Sequence, residues 1–240
     1  MQWEDEGVLI AAKKYGDSGL ILSLFTKNNG KRRGFIRTSK SSSYKFGVGN
    51  LFAVQWRARS LDNLGYFQCE LMKSNMYYLI TDKVKAIAVS SASSILEKVL
   101  PEGEKQAALY DDLILLIDAM ENDDWQKYYL KFELELLSQL GFALDLTRCT
   151  VSKTNKDLKF ISPKTGKAVS EKIGKNYAHN LLPLPKMLYD VYHNCQINYK
   201  LEEFQLSLKV LGYFLSKHLF SQFATELPFY RKLLVSFYPS

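Results

Sequence analysis

The sequence is poor in the residues that hold metals or move protons at neutral pH. It has three histidines and three cysteines in 240 residues. Cys69, Cys149 and Cys195 are odd in number and far apart. That argues against a disulfide framework and for a reducing compartment. None of His179, His193 and His218 stands at a known catalytic spacing from a nucleophile. His193 and Cys195 supply two metal donors where tetrahedral zinc takes four. Long apolar runs are missing as well. The longest aliphatic stretch, "LILLI" at 113–117, is far short of the roughly 20 residues that span a bilayer. The N-terminus, "MQWEDEGVLI", carries acids where a signal peptide carries a basic region and an apolar run. A cytoplasmic protein with no membrane contact is expected.

Catalytic motifs fail on inspection. "SPKTGKAVS" has Gly-Lys at 166–167, but Ile161 replaces the leading glycine of a Walker loop and Ala168 its Ser or Thr. "SSYK" (42–45) and "KTG" (164–166) pair like β-lactamase elements, but no S-D-N accompanies them and "SSYK" lies in a basic loop. A tight turn, with Pro163 fixing φ and Gly166 taking positive φ, accounts for "SPKTGK". No catalytic residue and no cofactor are assigned, so an enzyme is not expected.

What the sequence does have is basic charge in one place. Residues 1–80 hold 12 Lys and Arg against 6 Asp and Glu; the remainder hold 20 against 19. Between Lys27 and Lys45 there are seven basic residues and no acid. Such asymmetry suggests a polyanion-binding module joined to a nearly neutral body.

The same region reads as β-structure. "EGVLIAAKKYG", "GLILSLFTK", "KRRGFIRTS", "LFAVQWRAR" and "YFQCELM" are five short strands. Gly16-Asp17, "NNG" (28–30), a polar loop at 40–50 and "LDNLG" (61–65) separate them. Five strands in about 70 residues suit an OB-fold barrel, with an open meander as the alternative. Lys31, Arg33, Phe35 and Arg37 share one face of the third strand. The basic candidates for nucleic-acid contact are Lys27, Lys31, Arg32, Arg33, Arg37, Lys40, Lys45, Arg57 and Arg59. Tyr44 and Phe46, in the loop, are the candidate stacking platforms; Phe35 and Trp56 are expected in the core.

After Thr81 the period becomes helical. Val84, Ile87, Ala88, Ile95 and Val99 form one stripe, ended by Pro101. Leu109, Leu113, Leu116 and Met120 form a second. Asn122, Asp123 and Asp124 are cap candidates for a third helix, with Tyr129, Phe132, Leu136 and Leu140 inward and Gly141 past its end. Phe204, Leu208, Leu211, Leu215 and Leu219 mark a fourth. The expected architecture is α+β: an OB domain over 1–80, then a helical domain over 81–240 with a hairpin knuckle at 144–170.

Taken in order, these segments resemble one family. "WEDEGVLIAAKKYGDSGLILSLFTKNNGK" followed by "GNLFAVQWRARSLDNLGYFQCEL" looks like the N-terminal barrel of the RecO recombination-mediator family. "KFELELLSQLGFALDLTRC", "DLKFISPKTGKAVS", "LLPLP" and "LGYFLSKHLFSQFATELPFYRKLL" are similar to its helical part. The resemblance implies binding to single- and double-stranded DNA and annealing of complementary strands. It also implies work with RecR to load RecA onto DNA coated by single-strand-binding protein; participation of RecF stays open. The acidic C-terminal tail of that protein would dock on the helical domain, at a rim guessed as Lys127, Tyr128, Lys131 and Phe132. Many members hold zinc in the knuckle with two C-x-x-C pairs. Here Cys149 matches the first cysteine, Ser152 stands at the second, and "FISPKTGKAVS" has none, so zinc is not expected. Leu144, Leu146, Leu158, Phe160 and Ile161 would hold the knuckle by packing. The alternative is a basic OB-fold protein that binds RNA.

Overall fold

The computed structural model describes residues 1–39, 43–60, 64–75, 80–196 and 199–237. Strands β1 (Gln2–Tyr15), β2 (Gly19–Thr26), β3 (Gly30–Arg37), β4 (Leu51–Arg57) and β5 (Gly65–Lys73) close into a barrel in the order β1-β2-β3-β5-β4. Of these pairings, β3–β5 alone is parallel. This is the OB-fold expected from the strand count.

β1 begins earlier than the alternation suggests, because one strand serves two neighbours. Gln2–Val8 pairs with β4, while Gly7–Tyr15 pairs with β2. An irregularity between Leu9 and Ala11 marks a bulge where the strand turns from one partner to the other.

Leu9, Leu22, Leu24, Ile36, Phe52, Val54, Trp56 and Phe67 fill the interior. Trp56 stacks on Trp3 at 5.3 Å and donates its indole N–H to the Arg33 carbonyl at 3.1 Å. Its bulk and that of Phe67 explain the glycines at the β3–β5 seam. A Cβ at Gly65 would stand 2.0 Å from Trp56 Nε1, and one at Gly34 would stand 2.5 Å from the Phe67 ring. At the β2–β3 turn the Asp5 carboxylate accepts the backbone N–H groups of Asn28 at 2.9 Å and Asn29 at 3.1 Å, with both side-chain amides added.

The chain forms two compact units: residues 1–121 with 228–234, and residues 122–227 with 235–240. In the first, α1 (Lys83–Val99) and α2 (Ala107–Ala119) accompany the barrel. Asp82 caps α1 by accepting Val84 N–H at 2.8 Å and Lys85 N–H at 3.2 Å. Ile87, Ala88, Ile95 and Val99 are buried along its inner stripe, as their spacing predicts.

In the second unit, α3 (Trp125–Gln139) is followed by β6 (Leu158–Ile161), β7 (Ala168–Ser170), the short α4 (Glu171–Gly174) and β8 (Leu182–Pro183). The strands form a small sheet in the order β7-β6-β8. α5 (Lys186–Tyr192) and α6 (Leu201–His218) come next; α7 (Phe229–Ser236), the last helix among the described residues, belongs mostly to the first unit. Trp125 and Tyr129 of α3 meet Phe204 of α6 edge-on, at 5.6 and 6.4 Å. Asp124 stands at the N-cap of α3 without capping it through its side chain; its carboxylate pairs with Lys127 instead. Gly141 past the end of α3 has φ +85, the left-handed value expected there.

Candidate nucleic-acid interface

The outward row of β3 carries Lys31, Arg33, Phe35 and Arg37, as alternation predicts, but its two ends have different surroundings. The chain from 97 to 105 lies against the first end. Lys31 Nζ donates to the Glu97 carbonyl at 2.8 Å, and the Lys31 carbonyl accepts Gly103 N–H at 2.9 Å. Burial pushes the Lys31 ammonium below its ordinary value, while Glu97 and Glu102 pull the other way. Arg33 is paired with Glu102. Lys27 pairs with Glu6 at 2.9 Å, and that hydrogen bond holds its ammonium above the usual range. Arg32 turns the opposite way. Its guanidinium sits 5.6 Å from the Trp56 ring centroid and against Gly103, where a Cβ would stand 2.6 Å from Arg32 Nη2.

Among the described residues, the second end of β3 is open. Arg37 lines a groove of about 780 Å³ with Phe35, Arg57, Tyr66 and Gln68. Arg59 borders a neighbouring hollow that shares Arg57 and Tyr66. Among the described residues no carboxylate lies within ion-pair distance of Arg37, Arg57 or Arg59. Tyr44 and Lys45 stand exposed on a single turn of 3-10 helix, Ser43–Lys45. Phe46 folds back instead, stacking on Phe52 at 5.5 Å against the barrel core. Lys40 lies outside the described residues.

Two aromatic expectations change places. Trp56 is in the core, but Phe35 is not: it lies on the outer face, edge-on to Tyr15 at 5.9 Å and to Tyr66 at 5.8 Å. Neither Tyr15 nor Tyr66 is among the residues that the sequence alone singles out. The signal was the strand alternation, which puts Phe35 on the face of Lys31 and Arg37 and Tyr66 on the face opposite buried Phe67.

In the second unit, Lys127, Tyr128 and Lys131 line a hollow of about 270 Å³ with Val191, Asn194 and Cys195. The Lys127 ammonium lies 4.8 Å from the Tyr128 ring centroid. Phe132 is not on this rim. It is fully buried, one helical step round from Lys131 and facing the core.

Comparison with known proteins agrees with this architecture. A family model described as "Recombination protein O N terminal" matches residues 1–75, and "Recombination protein O C terminal" matches residues 80–226. The chain belongs to the RecO family. It is 54% identical over 239 residues to the DNA repair protein RecO of Wolbachia sp. subsp. Drosophila simulans (strain wRi), covering 98% of this chain and 100% of that one. It is 44% identical over 237 residues to the DNA repair protein RecO of Ehrlichia chaffeensis (strain ATCC CRL-10679 / Arkansas), covering 98% and 97%. With the DNA repair protein RecO of Rickettsia conorii (strain ATCC VR-613 / Malish 7) it shares 36% identity over 221 residues, 92% of each chain.

The knuckle tests whether this RecO-family chain suits zinc. Cys149 is buried, and its sulfur accepts Ser152 N–H at 3.4 Å and Ser170 O–H at 3.5 Å. The two serine hydroxyls are 3.4 Å apart. Burial pushes the thiol up, and the hydrogen bonds from Ser152 and Ser170 more than offset it, bringing it down to about 6. One thiol and two neutral hydroxyls do not fit zinc, which takes thiolate, imidazole or carboxylate. Among the described residues no group of three or more His, Cys, Asp or Glu converges anywhere. Leu144, Leu146, Leu158 and Ile161 are buried here and Phe160 is half-buried, so this RecO knuckle has an apolar core around a small polar cluster. No helix among the described residues is long and apolar enough to cross a membrane.

Proposed function

We propose that this protein is a DNA repair and recombination mediator that works without catalysis, in the cytoplasm and on the nucleoid. Its barrel binds single- and double-stranded DNA, and its action is to anneal complementary strands. Together with RecR it helps RecA displace single-strand-binding protein. The observation that carries this reading is the gathering of Arg37, Arg57 and Tyr66 in one groove of an OB barrel, with no described carboxylate paired to either arginine. The names of the relatives support the repair role.

The mechanism is electrostatic. Two strands repel through their phosphates, and each phosphate neutralised by a guanidinium releases counterions. A strand held on Arg37, Arg57 and Arg59 meets its complement at lower repulsion, and no covalent bond changes. Lys31 and Arg33 contribute field rather than contact, since both are engaged within the protein. The acidic tail of single-strand-binding protein is assigned to the hollow lined by Lys127, Tyr128 and Lys131, where the Lys127 ammonium, also paired with Asp124, lies over the Tyr128 ring.

The test is annealing of two labelled complementary oligonucleotides, followed by fluorescence transfer across a salt series. The expected result is acceleration over the spontaneous rate that fades as salt rises. Protein-independent annealing at every salt concentration would overturn the reading, and a preference for RNA over matched DNA would favour an RNA-binding role.

A further inference from the structure

We propose that the Tyr66 ring is a stacking platform for one unpaired base of a single strand, with the neighbouring phosphates on Arg37 and Arg57. The inference rests on the reading of the barrel as a DNA binder, and adds the residues that distinguish a single strand from a duplex.

Strand register brings the parts together. Arg57 of β4 is the direct partner of Tyr66 of β5, and Tyr66 is the direct partner of Phe35 of β3. Arg37 follows Phe35 by two residues, on the same face. The row therefore reads cation, ring, ring across three adjacent strands, with a second cation beside it. All four side chains line the same groove of about 780 Å³.

The rings differ in role. Phe35 is half-buried and pinned: a Cβ at Gly19 would stand 2.2 Å from its ring, so the bare backbone of Gly19 is what makes room for it. Tyr15 closes against it edge-on. Tyr66 leans edge-on against this fixed ring at an interplanar angle of 82° while remaining 62% exposed. An exposed aromatic braced by its neighbours offers stacking area at little cost in side-chain ordering. Water alone gives no reason for such a ring at the centre of a cationic groove.

Charge sets the direction of the track. Outward residues on β5 run Tyr66, Gln68, Glu70, and Glu70 shares a second hollow of about 430 Å³ with Glu4 and Asp5. A phosphate chain is repelled there and is drawn instead from Arg37 past Tyr66 to Arg57 and Arg59. In a duplex the bases are already stacked and paired, so the ring has no base face to meet; only an unpaired base can use it.

The experiment uses the full chain, a fluorescein-labelled thymidine oligonucleotide and a duplex of equal length, read by anisotropy over a salt series. Tyr66→Ala is expected to weaken single-strand binding about tenfold, and to leave duplex binding within about twofold. It leaves the dependence of affinity on salt unchanged, because no charge is lost, and Tyr66→Phe restores binding. Arg37→Ala should weaken both ligands and lower the single-strand salt slope by roughly 0.7. Single-strand binding by Tyr66→Ala equal to that of the unaltered protein, or equal losses on both ligands, overturns the stacking site alone. An unaltered protein that binds neither ligand overturns the reading of the barrel, and the site with it.

Discussion

Lys31 and Arg33 share a strand face with Arg37, a few residues apart, and meet opposite fates. The first two are met by the 97–105 segment, one on a backbone carbonyl and one on a carboxylate. Arg37 meets Arg57 and Tyr66 across an open groove. The difference lies in what the rest of the chain lays against each end of β3. A basic strand thus has two settings: one end fastens the end of α1 and the segment after it to the barrel, and the other lines a groove that the proposed function gives to a DNA strand. Net charge measures the sum of both and cannot separate them.

The comparison can be broken most directly at the open end. Arg37→Glu combined with Arg57→Glu should lower single-strand affinity about 100-fold at low salt and abolish annealing, with an unchanged melting temperature. Binding by anisotropy and melting by circular dichroism check both halves of that statement. At the covered end the sign reverses. Glu102→Gln releases Arg33 from its partner, and single-strand affinity should rise about two- to threefold, most clearly at low ionic strength. Lys27→Ala removes a charge already matched by Glu6, so affinity should stay within about twofold of the unaltered protein.

The smallest effect lies in the other unit. His218 stacks on Phe142 at 4.7 Å and on Phe214 at 6.1 Å. Burial lowers its pKa below the ordinary 6.5, and Lys217 adds to the shift. The unfolded chain therefore takes up the proton first as pH falls. The stability linked to neutral His218 is full above 6.5 and is lost as pH drops through the lower folded value. Urea titrations between pH 5 and 7.5 should show this slope, His218→Phe should flatten it, and strand binding should not follow it.

The barrel was legible because its signals are local. Gly-bearing turns and period-two alternation mark all five strands, and the helical stripes ending at Pro101 and Gly141 mark α1 and α3. The division of β3 was not legible, because its cause is distant: Glu97 and Glu102 are more than 60 residues from Lys31 and Arg33. Phe46 shows the same blindness on a smaller scale. A loop position suggested exposure, but the chain doubles back and lays the ring on Phe52. Phe35 is a different kind of miss, since the alternation that set it beside Arg37 was sound and a general preference for buried aromatics overrode it. Phe132 joins the guessed rim only through its neighbours Tyr128 and Lys131, although its place on the inner stripe of α3 already puts it in the core.

The parallel seam has one more implication. Among the described residues, β3 and β5 are joined only through Gly34–Gly65 and Phe35–Tyr66, which makes this the thinnest weld in the cylinder. A strand draped from Arg37 to Arg57 would bridge that weld from outside, so occupancy should slow amide hydrogen exchange at the joint and raise the unfolding temperature in proportion to ligand concentration.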